Sequence, residues 1–251
     1  MTTQITLFII TRNEADKIAK CLSSAKDLVD EIVLVDDSAD DTAAIAKQFG
    51  ARVFTHAFEG FTAQKNFALD QVKTTWALSL DADEVLTPQL AQEIRQAVQN
   101  TDYDGFELTR VNCFLGKRMQ HGGLKKEHIL RLVRTQKARY EGGLVHERLC
   151  VQGRTGRLKN VFMHYSYNDI ETYFEKFNKY TTLAAQTMYE KGKKRSFAAV
   201  LFIIPLEFLR RYVLKLGFLD GIRGFIWASF STFYIFVKYM KLWLLHTRDN
   251  Q

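Results

Sequence analysis

Short apolar runs alternate with helix-like segments over the first hundred residues of the chain. Four runs have the length and the β-branched or aromatic content of buried strands, at residues 5–10, 32–35, 52–54 and 76–80. Between the runs, apolar side chains recur every three or four residues, as they do from Ile18 to Val29, which is the spacing of one helix face. This alternation predicts an α/β fold in which a mostly parallel, Rossmann-like sheet is flanked by helices.

The pattern changes after Gly105. Residues 106–110, 129–133 and 149–152 have the composition of strands and are separated by glycine-rich, basic loops. Residues 169–189 then show the periodicity of an amphipathic helix.

Two strongly apolar segments lie near the C-terminus. Residues 197–206 are broken by Pro205, and residues 225–237 are rich in aromatic side chains. A membrane-spanning helix takes about 20 apolar residues, so neither segment is long enough. We expect amphipathic helices that lie at a membrane surface, with Lys and Arg at their polar edge. The alternative is a pair of buried helices that cap the domain or form an oligomer interface.

The net charge of +7 is concentrated in the same region. Residues 191–248 hold eleven Lys and Arg side chains against two acidic ones, Glu207 and Asp220. A basic segment that is also apolar and aromatic favours an anionic membrane surface, and no nucleic-acid-binding signature accompanies it. The three cysteines are scattered, which favours reduced thiols in the cytosol. Residues 1–4 lack a signal-peptide pattern, so we expect the start of the chain to stay cytosolic.

Polar clusters follow three of the predicted strands, at residues 11–14, 36–37 and 81–84. In sheets of this kind, ligands bind beyond the carboxyl ends of the strands. Asp81 and Asp83 can project toward one hard cation such as Mg²⁺ or Mn²⁺. A carboxylate at Asp36 can accept hydrogen bonds from a nucleobase or a ribose. Helix capping, or a charge at a helix N-terminus, would explain some of these carboxylates instead.

Three further positions carry candidate chemistry. Lys65, between Gln64 and Asn66 on a predicted helix, would bind a diphosphate, or belong to an ordinary solvated face. Glu147 would deprotonate an acceptor hydroxyl, although charged pairs are common on surface strands. His164 would supply a further metal ligand, although a lone histidine is more often structural.

Taken in order, these motifs resemble those of glycosyltransferase family 2, whose members have the GT-A fold. Any one motif is unspecific, but the ordered series, which runs from residue 5 to about residue 180, is specific. The subgroup that the chain most resembles is the lipopolysaccharide-core β-1,4-glucosyltransferases, and this likeness extends to residues 217–221 and 224–225 of the tail. The motifs are Thr11-Arg12-Asn13-Glu14, Val35-Asp36-Asp37-Ser38, Gln64-Lys65-Asn66-Phe67-Ala68-Leu69, Leu80-Asp81-Ala82-Asp83-Glu84, Arg131-Leu132-Val133-Arg134, Val145-His146-Glu147 and His164-Tyr165-Ser166-Tyr167.

The resemblance implies a role for each matching position. Glu147 would be the general base, Asp83 the direct ligand of Mg²⁺ or Mn²⁺, and His164 an additional ligand. Asp36 or Asp37 would hold the uracil and the ribose of the donor. The other residues expected around the nucleotide sugar are Thr11, Arg12, Asn13, Glu14, Gln64, Lys65, Asn66, Asp81, Ala82 and Arg131.

The chain departs from the family pattern in two loops. The loop at residues 36–42 lacks the usual glycine and is one residue shorter, which alters the contacts expected on the uracil side. Leu124 follows His121-Gly122-Gly123, where the subgroup often has tryptophan, which allows for a different acceptor.

The resemblance therefore predicts an inverting, metal-dependent glycosyltransferase. It would move a hexose, glucose from UDP-glucose by analogy with the subgroup, onto a lipid-linked saccharide such as the lipopolysaccharide inner core. The expected place is the cytoplasmic face of a bacterial inner membrane, where the chain binds anionic lipids peripherally and no nucleic acid. Oligomers are compatible with this expectation. The expected domains are a GT-A catalytic domain at 1–190, with its nucleotide-binding half at 1–104 and its acceptor-side half at 105–190, and a membrane-associating helical tail at 191–251.

Three alternatives remain at this point. The first is a glycosyltransferase that serves another surface polysaccharide or lipid-linked oligosaccharide. The second is a sugar-phosphate nucleotidyltransferase, against which the absence of glycine from residues 11–14 counts. The third is a non-catalytic scaffold that binds membranes.

Overall fold

The computed structural model describes residues 4–99, 101–124, 126–142, 147–167 and 169–248. The chain forms two compact units. The first comprises residues 1–111 and 126–164, and the second comprises residues 112–125 and 165–251.

Over the described residues, the strands and helices follow one another in the alternating order expected for the first hundred residues, and strands dominate the next sixty. The strands are β1 (Ile5–Thr11), β2 (Glu31–Asp36), β3 (Arg52–Thr55), β4 (Trp76–Ser79), β5 (Glu84–Leu86), β6 (Gly105–Phe114), β7 (Lys117–Arg118), β8 (Glu127–Arg134), β9 (Ala138–Gly142), β10 (Glu147–Val151) and β11 (Thr155–Tyr167). The helices are α1 (Ala15–Ala25), α2 (Thr42–Gln48), α3 (Phe61–Asp70), α4 (Pro88–Ala97), α5 (Ile170–Glu190), α6 (Phe197–Leu209) and α7 (Ile222–Arg248).

The nucleotide half of the sheet is parallel, as predicted. β1 lies between β2 and β4, and β3 pairs with the outer edge of β2. Thr11 stands beside Asp36 in this register, so the polar clusters after β1 and β2 share one edge of the sheet. β1, β2 and β4 are buried on both faces, because helices cover each side and apolar residues fill most positions, whereas the edge strand β3 is only partly buried.

The other half of the sheet is antiparallel. β8 pairs with β4, and the order continues through β6 and β11 to β5. The α/β prediction is confirmed, and the complete sheet is mixed, as in a GT-A fold with C-terminal helices. β9 and β10 form a separate two-stranded antiparallel ribbon, in which Glu147 stands opposite Gly142. The strand expected at residues 149–152 is therefore found in this ribbon.

α5 and α7 pack together in the second unit. Aromatic side chains fill their contact, with Phe177 stacked on Phe233 at a centroid distance of 5.4 Å and Tyr173 at 4.9 Å from Phe230. The boundary predicted at residue 190 separates α5 from the tail, whereas these contacts group α5 with the C-terminal helices. The sequence becomes basic and strongly apolar from residue 191, but α7, on which α5 packs, lies C-terminal to that position.

The expectation that Pro205 breaks the apolar segment was wrong. α6 runs through Pro205 to Leu209 and continues into a π-helical turn at Arg210–Leu214. A proline removes one backbone hydrogen bond from the helix, and α6 remains continuous without it. Glu207 supports the turn, because it accepts hydrogen bonds from both Arg210 and Arg211 at 2.6 Å. None of the helices over the described ranges is both long and apolar enough to cross a membrane.

Candidate functional site

The carboxylate of Asp36 lies at the end of β2 and is 5% exposed. Its Oδ1 atom accepts hydrogen bonds from the Thr11 hydroxyl at 2.5 Å and the Ser38 hydroxyl at 2.6 Å. Both donors bond the same oxygen, and Oδ2 accepts no hydrogen bond from the described residues. The register of β1 and β2 therefore presents one carboxylate oxygen to a ligand at the edge of the sheet.

The loops after β1 and β2 are tied to each other. Asn13 has a φ of 56°, a left-handed conformation that asparagine tolerates better than most residues. Its side-chain oxygen accepts a hydrogen bond from the Ala39 amide at 2.9 Å, and its own amide donates to Ser38 Oγ at 2.7 Å. Asn13 thus connects the loop after β1 to the loop after β2.

The neighbours of Asn13 play different parts. The Glu14 amide donates to Thr42 Oγ1 at 2.9 Å, and the Glu14 carboxylate pairs with Lys17 at 2.7 Å. Arg12 and Asp37 form an exposed pair at 4.0 Å. An exposed pair at this distance contributes little stability, so both side chains can turn to a ligand at small cost.

α3 presents Lys65 to the interior of the first unit and holds its two neighbours in structural contacts. Gln64 bonds His56 twice, at 2.9 Å to Nδ1 and at 3.1 Å to the backbone oxygen. Asn66 makes a pair of hydrogen bonds with the backbone of Tyr140, each 2.9 Å long. Of the three residues predicted here, Lys65 reaches the cleft described below, while Gln64 and Asn66 fix the helix.

The Lys65 side chain is 9% exposed and lies between two carboxylates. Its Nζ atom is 3.0 Å from Glu147 Oε1 and 3.5 Å from Asp81 Oδ1, and it stands 5.5 Å from the centre of the Tyr140 ring. Burial by itself lowers the pKa of a lysine, but Asp81 above all, with Glu147, raises the pKa of Lys65 above its ordinary value. Lys65 therefore keeps its positive charge.

Arg131 bridges the two carboxylates that follow β4. Its Nη2 atom lies 2.8 Å from Asp81 Oδ2 and 2.6 Å from Glu84 Oε1. Burial opposes ionisation of Asp81, yet Arg131 first and Lys65 second hold the pKa of Asp81 well below its usual range. Glu84 is fully buried, and burial raises its pKa despite Arg131. Its second oxygen accepts a hydrogen bond from the Asp81 amide at 3.0 Å and so fixes the turn after β4.

Asp83 and His164 form a second pair at this edge of the sheet. His164 Nε2 lies 3.4 Å from Asp83 Oδ2, because β11 pairs with β5 in a register that sets His164 beside Glu84. Two ligands of one Mg²⁺ at about 2.1 Å each would lie roughly 3 Å apart, so this pair fits a small divalent cation. No group of three or more His, Cys, Asp or Glu residues suited to a metal occurs among the described residues. Ala82, between the two aspartates, is buried in the core and can meet a ligand only through its backbone.

Lys65, Asp81, Arg131 and Glu147 line one cleft of about 430 Å³ in the first unit. The same cleft is also lined by Glu107, Arg110, His128, Arg148 and Thr155. A second cleft, of about 590 Å³, is larger but holds none of the predicted residues. The convergence of four predicted side chains, three of them buried or nearly so, identifies the smaller cleft as the candidate active site.

Tyr140 is the main residue that the sequence did not reveal. Its hydroxyl is 2.8 Å from Ser79 Oγ, its backbone bonds Asn66, and its ring contacts the ammonium of Lys65. A single tyrosine between loops gives no periodic signal, because its importance comes from contacts with residues 61 and 74 positions away. Val145 and His146, which precede Glu147 in the predicted motif, lie outside the described residues.

The chain is similar to a known family and to several glycosyltransferases. The family model described as "Glycosyl transferase family 2" matches residues 6–166. The lipopolysaccharide core biosynthesis glycosyltransferase LpsC of Rhizobium meliloti is 30% identical to the chain, over 96% of the chain and 93% of LpsC. An uncharacterized glycosyltransferase of Rickettsia typhi is 29% identical, over 95% of the chain and 86% of that protein. Among solved structures, a fragment of S. aureus TarS in complex with UDP-GlcNAc gives a TM-score of 0.49 at 14% identity, over 90% of the chain and 79% of the fragment.

The buried position of Arg131 leads to a stability prediction. Arg131→Met leaves Glu84 and Asp81 without their shared cation, so we expect the free energy of unfolding to fall by about 3 kcal/mol or more. Chemical denaturation followed by circular dichroism measures this loss. The matched control is Arg157→Met, which removes an exposed pair with Glu107 and should cost less than about 1 kcal/mol. Equal losses in the two variants would show that the buried network is not what stabilises this end of the sheet.

Proposed function

The chain belongs to glycosyl transferase family 2, and we propose that it transfers a hexose to a lipid-linked saccharide. The hexose we propose is glucose, with UDP-glucose as the donor. The observation that carries this proposal is the convergence of Lys65, Asp81, Arg131 and Glu147 on one cleft. Such a cleft offers cations for a diphosphate and a carboxylate for an acceptor hydroxyl. A non-catalytic scaffold would have no use for this arrangement.

The donor would bind along the edge of the sheet formed by the ends of β1, β2 and β4. The free Oδ2 of Asp36 would accept a hydrogen bond from the uracil or the ribose, with Asp37 and Arg12 at the rim. Lys65 and Arg131 would stabilise the diphosphate, since both cations are buried and gain strength from the low dielectric around them. Both side chains are already in the cleft before the donor binds.

Asp83 and His164 would hold Mg²⁺ or Mn²⁺ at this site. The cation would neutralise the charge that develops on the leaving diphosphate. The chain contributes two ligands within 3.4 Å of each other, and their separation supports this assignment. The remaining ligands would be oxygens of the donor and water.

We propose that transfer proceeds with inversion by a single displacement. An acceptor hydroxyl attacks the anomeric carbon of the donor while Glu147 takes the hydroxyl proton. The bond between the anomeric carbon and the diphosphate oxygen breaks, and UDP leaves with the bonding electron pair. The rest of the cleft would hold the acceptor. The relation to LpsC supports an acceptor from the lipopolysaccharide core, which is the pathway named for that protein.

We further propose that the second unit binds the cytoplasmic face of a bacterial inner membrane. Four apolar side chains of this unit stand far out in solvent, with exposures of 73% for Phe202, 63% for Leu206, 77% for Leu214 and 67% for Ile222. They lie on α6, on the turn after it and at the start of α7, among the Lys and Arg residues of the tail. Apolar side chains with basic neighbours suit insertion at the headgroup level of anionic lipids.

The role of Glu147 is tested with Glu147→Gln, which keeps the shape of the side chain but cannot take a proton. We expect kcat to fall by about a hundredfold or more, while UDP still binds. UDP release is measured with a panel of UDP-hexoses and UDP-N-acetylhexosamines in the presence of Mg²⁺ or Mn²⁺. Glu141→Gln, which changes an exposed carboxylate of β9 outside the cleft, is the matched control and should keep most of its activity. Near-normal turnover of the Glu147 variant would remove this residue from the mechanism.

The metal assignment is tested with Asp83→Ala. In the wild type we expect UDP to raise the melting temperature more with Mn²⁺ than with EDTA, because the cation bridges the protein and the diphosphate. The variant should lose this metal-dependent increment. Asp102→Ala, in the other cleft, serves as the control and should keep it. An unchanged increment in the Asp83 variant would refute the assignment.

The membrane surface is tested with Leu214→Glu combined with Ile222→Glu. Both side chains are mostly exposed, so the protein should fold normally, but burial of two charges among lipids should weaken binding by about tenfold or more. Sedimentation with phosphatidylglycerol-containing vesicles measures the binding. Phe58→Glu, which replaces an exposed aromatic residue of the first unit, is the control. Undiminished vesicle binding would contradict a membrane contact at this surface.

A further inference from the structure

We infer that Glu147 and the donor diphosphate compete for Lys65, so that donor binding releases the base. This inference rests on the proposed function for the identity of the donor and of the base. It assigns Lys65 a positioning role that links donor binding to the removal of the acceptor proton by Glu147.

The contacts of Glu147 make this release specific. Oε1 of Glu147 accepts a hydrogen bond from Lys65 at 3.0 Å, and Lys65 is its sole ion-pair partner among the described residues. While that contact lasts, the Lys65 ammonium occupies one of the acceptor positions of this oxygen. Withdrawal of the Lys65 ammonium would leave the carboxylate free to act.

Asp81, the other carboxylate beside Lys65, would not be released in the same way. Lys65 lies 3.5 Å from Asp81 Oδ1, but Arg131 holds Asp81 Oδ2 at 2.8 Å. Asp81 therefore keeps a cation when Lys65 moves. Of the two carboxylates, only Glu147 depends on Lys65 alone, so a shift of the ammonium changes the state of the base and little else.

The structure lets Lys65 move without moving α3. Gln64 and Asn66, on either side of it, are fixed to His56 and to the Tyr140 backbone. The lysine side chain has a flexible four-carbon stem, so its ammonium can shift by several ångströms while the helix stays in place. A diphosphate offers several charged oxygens and attracts the ammonium strongly.

Competition for one cation is reciprocal. If the diphosphate weakens the contact between Lys65 and Glu147, then Glu147 must weaken the binding of the diphosphate by the same factor. Loss of the Glu147 charge should therefore tighten donor binding. If Glu147 only lay near the donor and did not share Lys65 with it, removal of the Glu147 charge would not tighten donor binding through Lys65.

The experiment is a double-mutant cycle measured by isothermal titration calorimetry with UDP and with inorganic pyrophosphate. We expect Glu147→Gln to bind both about fivefold more tightly than the wild type, and Lys65→Met to bind both more weakly. The double variant should bind as Lys65→Met does, because Glu147 acts through Lys65. Glu141→Gln should match the wild type, and uridine, which has no phosphate, should bind alike to the wild type and Glu147→Gln.

Two results would overturn the inference. One is a Glu147→Gln variant that binds UDP and pyrophosphate no more tightly than the wild type. A wild-type protein that binds neither UDP nor pyrophosphate would also contradict the inference. The other is equal tightening in the Lys65→Met background, which would show a general effect of the carboxylate charge. Should Lys65→Met fail to fold, Lys65→Ala and the comparison of UDP with uridine take its place.

The outcomes also separate this inference from the proposed function. Tighter binding by Glu147→Gln together with normal turnover would retain the competition and refute the base. Loss of turnover with unchanged UDP affinity would retain the base and refute the competition.

Discussion

Two carboxylates lie within four residues of each other after β4, and the guanidinium of Arg131 pairs with both, the fully buried Glu84 and the partly buried Asp81. Asp81 and Glu84 would repel each other and lose hydration if they were buried alone. Arg131 reaches both from β8, the strand that pairs with β4, so the antiparallel half of the sheet supplies the charge that the parallel half requires. Lys65 then needs to neutralise only what remains, which is one oxygen of Asp81 and the carboxylate of Glu147. Arg131 thus joins Glu84 to Asp81, and Lys65 joins Asp81 to Glu147.

The parallel half of the sheet could be predicted because its signals are local. β1, β2 and β4 are continuous apolar runs, and helices of regular periodicity separate them. β11 could not be predicted in the same way, since its 13 residues mix polar and apolar side chains and its partners lie far away in the sequence. α6 shows the opposite error. A proline is often a local signal for a helix break, but α6 continues through Pro205, which removes one backbone hydrogen bond without ending the helix.

The candidate site divides along the same line. Asp36, Asp81 and Asp83 were found because they directly follow strands, and the geometry of a parallel sheet brings strand ends to one edge. Lys65 was found as one of three consecutive polar residues, yet only the fold distinguishes it from Gln64 and Asn66, whose side chains serve the helix. Tyr140 and Arg110 were missed because nothing in their immediate sequence marks them. Sequence patterns indicate well which residues lie at the end of a strand or on a helix. Which of several adjacent side chains enters the cleft depends on contacts with residues far away in the sequence.

The ribbon of β9 and β10 has a consequence for how such a chain can diversify. It carries Glu147 and pairs with no strand of the main sheet over the described residues, and the contacts of Tyr140 with Asn66 and Ser79 fasten it to α3 and β4. Sequence drift on the outer surface of the ribbon can therefore reshape what the cleft admits while the fastening point keeps the carboxylate in place. In a chain of this design, the choice of acceptor and the handling of the donor can evolve at separate rates.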